Sequence, residues 1–252
     1  MLFRLRAFGL HLLGSATALT LVLGTLYLGW YAWPGWYLCD AKNVVIVLMG
    51  VDLALGPSLT LIIANPRKPG RVLARDVSII VAVQLIALTY GSIQLWTGRP
   101  LYYAFSESVL QAVQAYDLAP DAVAVAEQQN SPLRPHWNSL PRWIWAPLPQ
   151  DATLRKSIVK SAIGGGPDVI EMPQYFRPWQ EGLEQLRQKL KPVGEVGYFT
   201  KPQKILLKER MQADGLATDQ ANSIPLTGRG FPPLLAVFDP KSLQFKEYVS
   251  AK

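Results

Sequence analysis

The segment Val51–Thr60, which reads VDLALGPSLT, decides how the rest of this chain is interpreted. It places a carboxyl group, Asp52, inside an apolar run that extends from Val44 to Ala64. About 21 residues at 1.5 Å each cover the roughly 30 Å hydrocarbon core of a bilayer, so the run predicts a transmembrane helix. A charge at the centre of a bilayer costs roughly 2.5 to 3.5 kcal/mol on insertion scales. We therefore expect Asp52 to face a partner group instead of lipid.

The same helix carries small residues and a helix-weakening pair. Gly50, Ala54 and Ser58 recur every four residues and share one face, where another helix backbone can approach closely. Gly56 adds backbone freedom and Pro57 has no N–H, so we expect weakened helical hydrogen bonds just after Asp52.

Two further apolar windows pass the length test for membrane helices, Phe8–Tyr31 and Val77–Trp96, and none follows Arg99. The sequence thus predicts a three-span membrane anchor over residues 1–98, with spans at about 8–31, 44–64 and 77–96, and a second domain over residues 99–252. The second domain carries 16 of the 20 prolines and is long enough for one core.

Polar and small residues also share one face of the third span, where Gln84, Ala87, Gly91 and Gln94 recur at helical spacing. Two interpretations stay open: the three helices pack on one another, or one face accepts a fourth helix from another protein. Neighbouring spans run in opposite directions, which predicts different depths for Gln84 and Asp52 and argues against assuming a direct pair. His11 lies near the inner end of the first span, where a structural role is favoured over a proton relay. The candidate partner-binding residues are Asp52, Gly50, Ala54, Gly56, Ser58, Gln84 and Gly91.

The formal charge of +7 reports membrane topology and does not indicate nucleic acid. Four cations, Arg67, Lys68, Arg71 and Arg75, fall in one predicted loop between the second and third spans. Cytoplasmic loops retain Lys and Arg, so this basic loop and the N-terminus are predicted to be cytoplasmic. Its cations would orient the protein and contact anionic lipid. Three spans then place the C-terminal domain outside, in the periplasm of a Gram-negative bacterium.

The second domain is predicted to be α+β and to fold without the anchor from about Pro100 onward. Leu101–Phe105 is typical of a strand, and Leu234–Phe238 with Leu243–Val249 predicts a terminal hairpin. Helices are predicted over 121–129, 151–163 with Asp151 as N-cap, 179–190 and 203–212. The triglycine Gly164–Gly166 follows a helix and predicts its end, not a phosphate loop.

The residues give little support for catalysis, and we expect no enzyme, cofactor, metal site or small-molecule substrate. His136 is the single histidine outside the spans, and Cys39 is the single cysteine of the chain. Paired-histidine and cysteine-cluster metal sites are therefore excluded. Trp137, Trp143 and Trp145 can stack sugars or peptides, but packing is the favoured interpretation.

A set of motifs, taken in order, covers nearly the whole chain and resembles the TfpX/TfpZ-like family of type IV pilin accessory proteins. The motifs are VDLALGPSLTLIIANPRK at 51–68, Arg75-Asp76, Gln84, Tyr90, Arg99-Pro100, Phe105, Leu140-Pro141-Arg142, Leu148-Pro149, Gly165-Gly166-Pro167-Asp168, Met172-Pro173-Gln174-Tyr175, Pro225-Leu226, Gly228-Arg229 and Val237-Phe238-Asp239. The chain departs from the family pattern at Glu107-Ser108-Val109, where Asp-Arg-Phe is expected. No role is carried over for that arginine.

The resemblance implies an accessory factor of the bacterial inner membrane that assists assembly or presentation of a cognate type IV pilin, without enzymatic activity. Pilins of this kind have a long apolar N-terminal helix with an acidic residue and, after processing, a free amine, which Asp52 could neutralise. Two alternatives of other classes stay open. One is a membrane-bound enzyme that modifies pilin or envelope sugars, with His136 or the tryptophans at its site. The other is a small membrane regulatory subunit that signals to the basic loop.

Overall fold

The computed structural model describes residues 1–252, which divide into two compact units. The helical unit consists of Met1–Ala32 and Asp40–Gly98, and the sheet unit consists of Trp33–Cys39 and Arg99–Lys252. The chain therefore contributes to the sheet unit twice, because the short segment that follows the first helix belongs to it. We call Trp33–Cys39 the inserted segment.

The helical unit contains three helices, each long and apolar enough to cross a membrane. They are α1 (Leu2–Tyr31), α2 (Lys42–Ile63) and α3 (Gly70–Thr97). This finding confirms the three predicted helices. The helix α1 packs mainly against the second half of α2, α3 packs along both halves of α2, and α1 and α3 touch each other less. Near one end of the unit, the Tyr31 hydroxyl donates to the Leu95 carbonyl over 2.7 Å.

The basic loop is shorter than predicted, because α3 already begins at Gly70. Arg71 and Arg75 therefore lie on the first turns of this helix, and only Arg67 and Lys68 lie in the loop. No proline occurs between Pro69 and the end of the third span, and arginine is a good helix former. Lys68 joins the loop to the helix through an ion pair with Asp76, with Nζ and Oδ2 2.8 Å apart.

A mixed seven-stranded sheet forms the centre of the sheet unit, in the order β4-β3-β1-β2-β5-β6-β7. The strands pair antiparallel except β1 with β3 and β2 with β5, which are parallel. Together with the helices below, the sheet confirms the α+β class. The strands are β1 (Pro100–Ser106), β2 (Val109–Gln114), β3 (Arg142–Trp145), β4 (Arg177–Pro178), β5 (Ser223–Thr227), β6 (Leu234–Phe238) and β7 (Phe245–Ser250).

Both faces of the strands β1 and β6 are buried, whereas the edge strands β4 and β7 are largely exposed. The helices are α4 (Pro120–Gln128), α5 (Ala152–Ile163), α6 (Leu183–Lys189) and α7 (Lys201–Ala213). Alternation along β1 directs Tyr103 and Phe105 into one core and Tyr102 and Ala104 into another, as the period of two requires. A third core lies between α7 and the strands β6 and β7.

Several local predictions are confirmed. The Asp151 carboxylate accepts from the Leu154 amide over 2.7 Å and caps α5. The helix ends at the triglycine, where Gly165 has a φ of +81°, a conformation that suits glycine. The terminal hairpin also forms, and Asp239 accepts from the amides of Lys241 and Ser242 in its turn. These N–H groups hold the pKa of Asp239 below its usual value.

The predicted helix over 179–190 is wrong in its first turn. Trp179–Gly182 is a 3-10 turn, and α6 begins only at Leu183. A side chain at Gly182 would approach the Trp145 ring to 2.6 Å, so this turn lies directly on the β3 tryptophan. Close packing against Trp145 thus fixes the backbone here.

The inserted segment delivers Leu38 to the core of the sheet unit. Leu38 is 1% exposed and packs with residues of β1, β2, β5 and β6. Its carbonyl accepts from the amides of Arg229 and Gly230, at 2.6 and 3.3 Å. A Cβ on Gly228 would lie only 2.5 Å from the same carbonyl, so a side chain at that position would prevent this contact. The Tyr37 hydroxyl donates to the Pro232 carbonyl over 2.5 Å. The β5–β6 connection therefore holds the segment through hydrogen bonds to both Leu38 and Tyr37.

Candidate functional site

The carboxyl group of Asp52 is buried at a widened turn of α2. Residues Gly50–Leu55 form a π-helical turn, and Asp52 is 3% exposed. Pro57 has no N–H for the preceding turn, which favours such a rearrangement, and π turns often occur at functional sites. The predicted weakening of the helix around Gly56 and Pro57 is confirmed. Its consequence is that Asp52 faces the interior of the helical unit.

Gln84 of α3 reaches Asp52 directly. Its Nε2 lies 3.1 Å from the Asp52 carbonyl, 3.4 Å from Asp52 Oδ1 and 3.3 Å from Ser15 Oγ. A Cβ on Gly56 would overlap the Gln84 amide, so the glycine leaves the room that this side chain needs. A direct pair was not assumed from the sequence, because the two residues were expected to differ in depth. The long Gln84 side chain crosses that gap beside a glycine.

His11 of α1 joins Asp52, Gln84, Ser15 and Thr60 in one hydrogen-bonded group, which we call the Asp52 cluster. Its Nε2 lies 2.6 Å from Gln84 Oε1, and its Nδ1 lies 2.6 Å from Thr60 Oγ1. An amide oxygen only accepts, so Nε2 carries the proton, and in a neutral ring Nδ1 accepts from the Thr60 hydroxyl. The chain of donors then runs from Thr60 through His11 and Gln84 to Asp52. Sequence reasoning missed this role, although His11 and Ser15 are four residues apart and share one helical face.

One atom of the cluster has no partner. Asp52 Oδ2 is buried and makes no hydrogen bond among residues 1–252. A buried polar atom without a partner costs about 1–3 kcal/mol, which calls for an explanation. Asp52 also lines a cavity of about 490 Å³ between α1 and α3, whose other walls are mostly apolar. The free oxygen thus marks a place where a hydrogen-bond donor would be stabilised.

The other predicted partner-binding residues separate into two groups. Gly91 faces α2, where a Cβ would approach the Leu48 side chain to 2.5 Å, so it serves packing between these two helices, as Gly56 does. Gly50, Ala54 and Ser58 are exposed on the outer face of α2. Of the seven residues, only Asp52 and Gln84 line the cavity. Their role in binding a partner stays a prediction.

Aromatic packing accounts for two of the three tryptophans considered for ligand stacking. Trp143 packs with five aromatic rings of the sheet unit, and Trp145 lies against Gly182. Packing is therefore confirmed for both, whereas Trp137 is exposed. His136 is also exposed, in the segment between α4 and β3.

Cys39, at the end of the inserted segment, is buried and free. Burial is the largest cause that raises the pKa of its thiol to about 12, and the nearby Asp117 carboxylate adds to the effect. The thiol is therefore protonated at neutral pH and is a poor nucleophile. Cys39 thus packs as a small apolar side chain.

The chain is similar to proteins named for fimbrial assembly in Dichelobacter nodosus. It is 26% identical over 243 residues to the fimbrial assembly protein of serogroup I, covering 94% of this chain and 91% of that protein. It is 25% identical over 241 residues to the serogroup E1 protein, with the same shares. The protein of serogroups C1 and C2 is 29% identical over 125 residues, which cover 50% of this chain and 95% of that protein.

No protein-family model matches the chain. No solved structure matches it either. The matched lengths cover 94% of this chain, so the two longer matches include both the helical and the sheet unit. The chain is thus similar, over nearly its entire length, to fimbrial assembly proteins.

Proposed function

We propose that this chain assists fimbrial assembly as an accessory factor of the bacterial inner membrane, of the TfpX/TfpZ-like kind, that serves a cognate type IV pilin. The observation that carries the proposal is the similarity to fimbrial assembly proteins over 94% of the chain. The three long apolar helices support an anchor in the membrane. In this proposal the sheet unit lies in the periplasm and meets the globular part of the pilin.

The proposed action is binding, not catalysis. The Asp52 cluster holds its polar groups in mutual hydrogen bonds and leaves one carboxyl oxygen for a donor. Such a group can hold a pilin helix in the bilayer, because a buried carboxyl group favours a cationic or donating partner over lipid. The basic residues Arg67, Lys68, Arg71 and Arg75 orient the protein and contact anionic lipid on the cytoplasmic side.

Deletion of this chain is expected to remove most surface pili while the pilin is still synthesised. Expression of the full chain from a plasmid should restore them. Pili are counted by electron microscopy, and total pilin is measured by immunoblot. Unchanged piliation in the deletion strain would contradict the proposed function, and loss of pilin synthesis would place the defect before assembly.

The proposed topology predicts the activity of two reporter fusions. Alkaline phosphatase joined after Lys252 is expected to be active, because it would lie in the periplasm, and the same enzyme joined after Lys68 is expected to be inactive. Green fluorescent protein at the same two positions should give the opposite pattern. An active phosphatase after Lys68 would overturn the three-span arrangement.

A further inference from the structure

Two neighbouring cavities lie along the helical unit between α1 and α3, and we call them together the trough. The cavity at Asp52 adjoins a second cavity of about 640 Å³, and both include Leu88 of α3. On α1 the two cavities extend from Ala7 to Leu26, which is about 28 Å at 1.5 Å per residue. The trough is therefore nearly as long as the roughly 30 Å hydrocarbon core that a transmembrane helix crosses.

The wall that α1 contributes suits a helix backbone. Gly14, Ser15 and Ala18 line the trough, and a Cβ on Gly14 would meet no atom within 4 Å. Small residues at such spacing let two membrane helices approach closely. On the opposite wall, α3 contributes the larger side chains of Val81 and Leu85, which are exposed and apolar.

The polar residues at the base of the trough indicate which chemical group its occupant must present. Asp52 is only 3% exposed, and its Oδ2 has no hydrogen-bond partner. The donor groups of Gln84 and His11 are already used in hydrogen bonds within the cluster. An acceptor without a donor is satisfied by an N–H or ammonium group from outside. A lipid acyl chain would fill the apolar walls but has no donor for this oxygen.

The spans of a second copy of this chain offer no lysine or arginine at the depth of Asp52. No Lys or Arg occurs within residues 7–41, 43–66 or 76–98, so the spans carry no ammonium near the depth of Asp52. Gln84 Nε2 contacts both Ser15 Oγ and Asp52 Oδ1, so Asp52 lies near the depth of Ser15. Ser15 is eight residues from Ala7 and thus about 12 Å from that end of the trough. A helix of another protein that carries an ammonium group at this depth is the occupant that meets both requirements.

We infer that the trough between α1 and α3 holds one transmembrane helix of the pilin, with an ammonium group of that helix at Asp52 Oδ2. The inference rests on the proposed function and adds where the pilin helix lies and which group it presents. Gly50, Ala54 and Ser58, on the outer face of α2, take no part in it.

Photocrosslinking from matched neighbours tests the position of the helix. A photoreactive amino acid is placed in the full chain, in cells that make the pilin, at Leu85 or Leu10, which line the trough, and at Ile86 or Leu13, which do not. All four side chains are at least half exposed, at 55%, 73%, 70% and 65%. Adducts with the pilin are expected from Leu85 and Leu10. The adduct yield from Ile86 and Leu13 should be lower by most of that amount.

A second pair of variants fills the trough without disturbing the unit. Gly14→Leu places a side chain in the trough, and Gly9→Leu makes the same change on α1 outside it; neither Cβ meets an atom within 4 Å. Gly14→Leu should abolish the adduct from Leu85 at normal protein abundance, and Gly9→Leu should leave it unchanged. Equal labelling from Leu85 and Ile86 would overturn the inference. So would adducts only with lipid or with a second copy of this chain. In both cases, lost piliation in the deletion strain would leave the proposed function standing.

Discussion

Asp52→Asn is expected to reduce capture of the pilin about tenfold or more and to remove most surface pili, while the variant protein stays abundant and inserted. The amide keeps the shape of the carboxyl group but loses the charge that an ammonium needs. Hydrogen bonds to charged groups contribute about 1.5–3 kcal/mol, and 1.4 kcal/mol is a factor of ten in affinity. Capture is measured as pilin recovered with the affinity-tagged full chain from detergent-solubilised membranes, beside counts of pili.

Two further variants separate loss of the charge from loss of helix packing. Asp40→Asn makes the same chemical change at an exposed carboxylate and should leave capture unchanged. Asp52→Leu removes the side-chain oxygen that Gln84 contacts, so it should lower protein abundance as well as capture. If Asp52→Asn captures pilin as the natural chain does, the carboxyl group only supports helix packing and the ammonium pairing is wrong.

Leu38→Ala is expected to lower the free energy of unfolding of the sheet unit by about 2–5 kcal/mol, because it leaves a cavity in a closely packed core. Leu38 is 1% exposed and contacts strands that lie far from it in sequence. Pulse proteolysis of the full chain across a urea series measures the change. A fragment that begins at Pro100 lacks Leu38 altogether, so the sequence-based expectation that it folds alone changes, and we now expect it to melt without cooperativity.

The control for this prediction is Leu140→Ala, which removes the same atoms from a side chain that is 58% exposed. It should change the free energy of unfolding by less than about 0.5 kcal/mol. A fragment from Pro100 that melts as cooperatively as the sheet unit of the full chain would show that Leu38 contributes little. The same conclusion would follow from equal stability of Leu38→Ala and Leu140→Ala.

Hydropathy and local signals were sufficient for part of this molecule. Three helices followed from apolar runs, and the cap at Asp151 and the stop at Gly165 followed from side-chain chemistry and backbone conformation. Sequence reasoning also identified Asp52 as a group that needs a partner. These features depend on residues that are close together in the chain, which is why a single sequence carries them.

The remaining features depend on contacts between distant residues. His11 meets Gln84 only because Gly56 leaves room for the amide, and no periodicity shows that. The strands β2, β3 and β5 were not predicted, since they are short and the first lacks clear alternation while the third contains a proline. The inserted segment has the aromatic composition of a membrane interface, so its sequence did not predict that it packs in the sheet unit.

The inserted segment also determines the order in which this protein can be completed during synthesis. The ribosome makes Leu38 before α2 and α3, and the strand β6 that packs on it begins only at Leu234. At about 5 to 20 residues per second, roughly 10 to 40 s separate the two events. Contacts between residues so distant in sequence form slowly, because a long loop must close first. Nascent chains that end before β6 therefore hold Leu38 without its core, and the sheet unit becomes complete only near the end of translation.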